Sequence, residues 1–305
     1  MKKWLRAAAV LLCAWIFCGC GKSEPVRTDE YQYVIGVSLT NVAEPWLNNL
    51  VQTISEKAAD GREVNLIFRD AAGSAEKQIQ DIEVLMKCGI DLLILSPDGS
   101  EALDETMKEI YQQIPIVVVG VKPDTEDYTT VIQADDEGIG RMAGEYILNN
   151  LYGPGKNVVV IEGVKESPIS RKRLKGFRDA VEGKIPETQI TYYHGDWLRD
   201  VAEVRMKDFL VVNEKADIVF AFNDDMAYGA YLACQQLRVS NTAALLGVDG
   251  FEGEIAGLNL VENGILDATI QSPDFGALAY DTALDILKGK QAKREIVIVP
   301  RLITG

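Results

Sequence analysis

Two short apolar runs in the second half of the chain end in side chains suited to holding a small molecule. Ile218–Phe222 leads into Asn223-Asp224, and Ala243–Val248 leads into Asp249-Gly250. Their length and apolar content predict buried strands. Polar residues at the carboxyl ends of parallel strands lie near helix N-termini, where open α/β sheets take ligands. Asp224 is expected to N-cap a helix carrying Met226, Ala230 and Leu237 on its apolar side. A plain capped turn is the alternative for Asn223 and Asp224. Two tryptophans stand at comparable places. Trp46 lies just inside a helix opened by Pro45, and Trp197 follows a strand end at Gly195-Asp196. Indole at such an edge stacks on the apolar face of a sugar ring while Asp, Asn, Arg and Gln bond its hydroxyls; core packing is the competing reading for each. Arg171 and Arg173 lie near the start of a helix, against its dipole. Two cations there call for a ligand or a carboxylate partner, with a solvated basic face as the alternative.

Bond-making chemistry finds little support. His194 is the single histidine, at a predicted strand end, and reads as a surface or packing residue. A Ser-His-Asp triad could use no other histidine, and no serine lies in a nucleophile turn. Neither a zinc spacing, a GxSxG elbow, a phosphate-binding P-loop nor GxGxxG occurs. Gly138-Ile139-Gly140 falls within a helical pattern. No enzyme, metal or cofactor is therefore expected. Of five cysteines, Cys13 and Cys18 fall in an apolar leader, and Cys20 closes it. Cys88 and Cys234 lie in helical patterns far apart and are expected to be two buried free thiols.

The elements that must position these residues alternate. Strand patterns cover Tyr33–Leu39, Val64–Phe68, Asp91–Pro97, Ile114–Gly120 and Tyr128–Ala134. Helical patterns run from Pro45, from Ser74 to Cys88-Gly89, over Glu101–Gln112 and over Glu137–Leu151. The order then restarts with strands at Val158–Glu162 and Ile190–His194 and helices over Ser170–Val181 and Val201–Val212. After the two opening runs come a helix over Gly253–Glu262, a strand at Leu266–Gln271, a helix over Phe275–Leu287 and a final strand at Ile296–Val299. Strands alternating with helices of this length predict parallel sheets with right-handed crossovers. Two such sets predict two similar Rossmann-like α/β lobes, and 305 residues suffice for about two cores.

Lys2, Lys3 and Arg6 precede eleven uncharged residues, Ala7–Phe17. This is short for a membrane span and has the shape of a secretory signal. Gly19-Cys20 resembles a lipoprotein cleavage site, with Phe17 departing from the usual Leu. Residues 1–19 are expected to be a signal peptide, Cys20 the lipidated residue and 20–31 a tether. Localisation would be the cell envelope, with the protein anchored on its extracytoplasmic side. The net charge of −15 argues against a nucleic-acid partner.

The stretches VIGVSLTNVAEPW, DLLILSPDG, IPIVVVG, QADDEGIGRMAGEYI, SRKRLKGF, FAFNDDMAYGA, LLGVDG and ATIQSP occur in this order over roughly Tyr33 to Thr304. Together they resemble periplasmic sugar-binding proteins of ribose/galactose type, the type I periplasmic binding protein fold. The resemblance implies two lobes joined by a three-strand hinge: 32–134 plus 272–296, and 135–271 plus 297–305. It implies crossings near Ala134-Asp135, Gln271-Ser272 and Glu295–Val297. It places ligand contacts at Glu44, Trp46, Ser96, Arg173, Trp197, Asn223, Asp249 and the hinge residue Gln271. Ribose-type relatives carry Asp-Arg where this chain has Gly120-Val121, and Asn where it has Glu44 or Ser96. The resemblance therefore implies a monomeric, non-enzymatic binder of a monosaccharide or polyol, closing by a hinge and serving an ABC permease. A receptor feeding a sensor kinase or chemoreceptor, and less readily a surface glycosidase, are the alternatives. The leader and the missing N-terminal DNA-binding helices argue against a repressor of this fold.

Overall fold

The structure is a computed structural model that describes residues 31–59, 61, 63–97, 100–238, 243–272 and 274–305. Cys20, the signal peptide and nearly all of the tether lie outside the described residues. The first half builds β1 (Tyr33–Leu39), α1 (Pro45–Ala59), β2 (Val64–Asp70), α2 (Ala75–Lys87), β3 (Leu92–Leu95), α3 (Glu101–Tyr111), β4 (Ile116–Val119) and β5 (Thr130–Ala134). The second half builds α4 (Asp136–Tyr146), β6 (Val158–Glu162), α5 (Pro168–Val181), β7 (Ile190–His194), α6 (Arg199–Asn213), β8 (Ile218–Ala221), α7 (Asp224–Gln236), β9 (Ala244–Asp249), α8 (Gly257–Glu262) and β10 (Ala268–Gln271). The chain then returns through α9 (Phe275–Leu287) and β11 (Glu295–Ile298) and ends in β12 (Arg301–Thr304). A π-helical turn, Ile147–Leu151, extends α4.

Two six-stranded sheets result, ordered β11-β5-β4-β3-β1-β2 and β12-β10-β9-β8-β6-β7. All pairings are parallel except β10 with β12. The repeated order explains why the sequence pattern restarts. The central strands β3, β4, β6 and β8 are buried along their whole length because both faces of each sheet are covered there, while the edge strands β2, β7, β11 and β12 carry polar and partly exposed residues. In β3, Leu92 and Ile94 pack on the side of α1 and α9, while Leu93 and Leu95 pack on the side of α2 and α3.

Four differences from the sequence reading have simple causes. Asn223, not Asp224, is the N-cap of α7: its side-chain oxygen accepts from the Met226 N–H at 2.7 Å. Asp224 enters the first turn instead. α8 starts at Gly257 rather than Gly253, whose φ of +145° is not helical. A last strand, β12, lies beyond the apolar run that ends at Val299. β11 stays paired with β5 as far as Ile298, so the third passage between sheets falls at Val299-Pro300 rather than at Glu295–Val297. Proline there breaks the ladder and lets the chain change sheets.

Candidate functional site

The carboxyl edges of the two sheets face each other across a cleft of about 460 Å³. Thr40, Ala71, Ser96, Gly120 and Ala134, from the ends of five strands of the first sheet, line one side. Trp197, Asn223, Asp249 and Ser272 line the other. Each stands where a strand gives way to the next loop or helix.

Arg173 is at the centre. It is buried, and its Nε donates to Asp136 Oδ1 at 2.9 Å while a terminal nitrogen donates to the Phe222 carbonyl. Burial raises the Asp136 carboxyl above its usual range although Arg173 opposes the shift. The guanidinium carbon lies 5.6 Å from the centre of the Trp197 ring. The carboxylate partner called for by the helix-start arginines is therefore Asp136, supplied by α4. Arg171 instead donates to the Glu166 backbone carbonyl.

α4 and α5 come close enough for this because glycines face each other. A β-carbon on Gly140 would sit 1.9 Å from the Arg173 carbonyl oxygen, and one on Gly176 would sit 1.9 Å from that of Glu137. Arg173 and Asp136 lie at the cleft end of this seam.

Trp197 is held by an unusual loop. Asp196 and Trp197 both have left-handed backbone, with φ of +53° and +65°, a conformation that costs non-glycine residues roughly 1–2 kcal/mol each. The turn lays the indole over Gly163, where a β-carbon would lie 2.1 Å from the ring. Asn223 fixes it: its Nδ2 donates to the Trp197 carbonyl at 3.1 Å while its Oδ1 caps α7. Asn223 is thus both a cap and a positioning residue. Asp249 has φ +111° and is buried, and burial lifts its carboxyl well above the usual range.

Across the cleft, Trp46 meets Phe275 edge-on, with centroids 5.3 Å apart at 75°. A β-carbon on Gly120 would lie 3.1 Å from the Trp46 ring. Where the ribose-type pattern implies an aspartate, this chain leaves room for an indole. Glu44 lines the same wall, and burial raises its carboxyl. Ser96 lines it too, its carbonyl accepting from Gln78 Nε2 at 2.8 Å.

Of the eight predicted ligand residues, the cleft gathers Glu44, Trp46, Ser96, Arg173, Trp197, Asn223 and Asp249. Gln271 does not line it. Its Nε2 donates to the Gly250 carbonyl at 2.8 Å, in the loop after β9, and its Oε1 accepts from Arg301 Nε at 2.7 Å, at the start of β12. Asp136, Phe275 and Gln78 line the cleft as well and are not among those eight. Asp136 had a local signal, a carboxylate directly after a strand end; Phe275 and Gln78 lie in helices whose periodicity marks them as core. Asp224 lies beneath the floor, its carboxylate accepting from Thr269 Oγ1 and the Gly250 N–H, each at 2.7 Å. Cys88 and Cys234 are buried and free. Among the described residues no helix is long and apolar enough to cross a membrane, and no His, Cys, Asp and Glu group has the geometry to hold a metal.

A family profile describing a periplasmic binding protein domain matches residues 35–291. The chain belongs to that family. This binding protein is 30% identical over 268 residues to the ribose import binding protein RbsB of Bacillus subtilis, covering 87% of this chain and 85% of the relative. It is 27% identical to the xylitol-binding protein of Mycolicibacterium smegmatis, covering 81% and 70%. Among solved structures, the fructose binding periplasmic domain of a hybrid two component system superposes with a TM-score of 0.77 at 32% identity, covering 89% of this chain and 90% of its own. These relatives are binding proteins rather than enzymes, as is this chain. The family is extracytoplasmic and binds sugars.

Proposed function

We propose that the chain is the substrate-binding lipoprotein of an ABC importer, taking a monosaccharide or small polyol into the interlobe cleft by hinge closure. The observation that carries this reading is the pair of indoles, Trp46 and Trp197, presented from opposite walls of one cleft that also holds Arg173, Asn223 and Asp249. Flat apolar surfaces above and below a ring, with donors and acceptors at its rim, are what a sugar requires. Relatives named for ribose, xylitol and fructose support the ligand class. The Gly120 and Glu44 substitutions argue for a ligand other than ribose. Lipidation at Cys20 would keep the protein at the membrane beside its permease; unchanged membrane fractionation of Cys20→Ala would count against that anchor.

A sensory role is the second reading, favoured by the likeness to a periplasmic domain of a hybrid two component system. The same cleft would then report occupancy to a membrane kinase.

Thermal-shift screening of the purified protein against ribose, fructose, other monosaccharides and xylitol, followed by calorimetry, tests the ligand class. Asn223→Ala and Asp249→Asn are each expected to weaken the best ligand about 5- to 150-fold, the effect of losing one desolvated hydrogen bond. No response to any sugar or polyol, or unchanged affinity in both variants, would remove the assignment.

A further inference from the structure

The charges that face the cleft do not balance. Among the described residues four carboxylates line it, Glu44, Asp136, Glu166 and Asp249, against one cation, Arg173. Arg173 is committed to Asp136 and to the Phe222 carbonyl. Glu166 is exposed at the rim. Glu44 and Asp249 remain, one on each wall. Neither side chain takes a hydrogen bond or an ion pair from any described residue. Asp249 is only 6% exposed, and Arg173 is near enough to offset part of its charge. Among the described residues no cation pairs with Glu44, and its burial raises its carboxyl.

Closing two lobes over a neutral sugar would strip water from both carboxylates and leave Glu44 without a counter-charge. Sugar hydroxyls donate hydrogen bonds to a carboxylate but do not neutralise it, so over a neutral sugar Glu44 either stays an uncompensated buried charge or takes up a proton, and both cost binding free energy at neutral pH. A protonated amine does both. It donates charge-assisted bonds and cancels the excess charge.

Resting on the sugar-binding reading, we propose that the cleft is built for an amino sugar or amino polyol, its ammonium set against Glu44 and its hydroxyls taken by Arg173, Asn223 and Asp249. Glu44 is then the residue that determines specificity. Its position beside Trp46, where an indole fills the room left by Gly120, puts the cation-recognising group on the first lobe and the hydroxyl-recognising groups on the second.

Titration calorimetry at neutral pH and low ionic strength would compare glucosamine, galactosamine and mannosamine with glucose, galactose and mannose, and with N-acetylglucosamine. At least one amine should bind about tenfold or more tightly than its neutral parent, with the acetylated, uncharged sugar losing that advantage. Glu44→Gln should invert the ranking, weakening the amine and strengthening the neutral parent. Neutral parents binding as tightly as the amines would overturn this inference and leave the sugar-binding assignment standing. An amine preference retained in Glu44→Gln would also overturn it, because the carboxylate would not be its source. Silence from every sugar in this set, in the protein and in the variant, would overturn this inference, while the sugar-binding assignment would still be decided by the screen that includes ribose, fructose and xylitol.

Discussion

At the residue scale, the second lobe concentrates carboxylates that ionise with difficulty. Asp224 is buried beneath the cleft floor, where two hydrogen bonds favour its ionised form and desolvation outweighs them, pushing its pKa up to about 7. The unfolded side chain ionises near 3.8. Between these values the folded state holds the proton and the unfolded state has lost it. Unfolding then releases a proton, so Asp224's contribution to stability is largest at the acid end and declines as pH rises to about 7. Asp224→Asn removes that titration. The melting temperature of the native protein relative to the variant should fall from pH 4 towards pH 7 and then level. Parallel profiles for the two proteins would show that this carboxyl titrates normally. Asn223 carries a different lesson: one amide caps α7 and holds the Trp197 loop. Any loss of affinity in Asn223→Ala would therefore combine the proposed ligand contact with a loosened indole.

At the element scale, the α4–α5 seam is the part of the scaffold on which the site depends most directly. Arg173 on α5 reaches Asp136 on α4 because the helix backbones approach over Gly140 and Gly176. A methyl group at 176 would collide with a backbone carbonyl, which cannot rotate away as a side chain can. Gly176→Ala should therefore cost about 1–3 kcal/mol in overpacking and weaken ligand binding as well, since separating the helices draws the carboxylate away from the guanidinium. Gly153→Ala, where a β-carbon meets open space, is the matched control. Denaturant unfolding and calorimetry on both variants would decide it. A Gly176→Ala protein as stable as the control would mean that the seam relaxes freely.

At the scale of the whole molecule, the chain passes between sheets three times: after β5, after β10 and after β11. Three neighbouring strands of backbone can bend together without breaking either core. Ligand is expected to draw the lobes closed by no more than its preference for the closed state. Small-angle scattering of the purified protein should show a smaller radius of gyration at saturating ligand, and an unchanged radius would contradict closure. Gln271, at the passage after β10, bonds Gly250 in the loop after β9 and Arg301 just past the third passage, and is not a wall of the cleft. Gln271→Ala should therefore reach the same contracted radius at saturation while needing a different ligand concentration to reach it.

Local periodicity was enough to determine most strands and helices, their alternation and their repetition, because an element that packs on one core leaves its period of 2 or 3.6 in the apolar residues. Yet covered strands are apolar whichever partner they take. The pairing of Ala268–Gln271 with Arg301–Thr304 had no apolar run to announce it. Strand ends also marked most of the cleft: Asn223, Asp249 and Ser96 close apolar runs, and Trp197 follows the end of β7 by three residues. Partners across long separations were not legible. Arg173 asked for a carboxylate, but only the packing of α4 on α5 selected Asp136, 37 residues away. Gln271 has the same kind of address as Asp249, a polar residue closing an apolar run. What separates them is Arg301, which arrives from the chain's final strand and holds the glutamine where the chain passes between sheets. A sequence specifies which groups stand at the ends of strands. Which of them meet a ligand and which meet each other depends on how two sheets are set edge to edge, and that arrangement exists only in the folded chain.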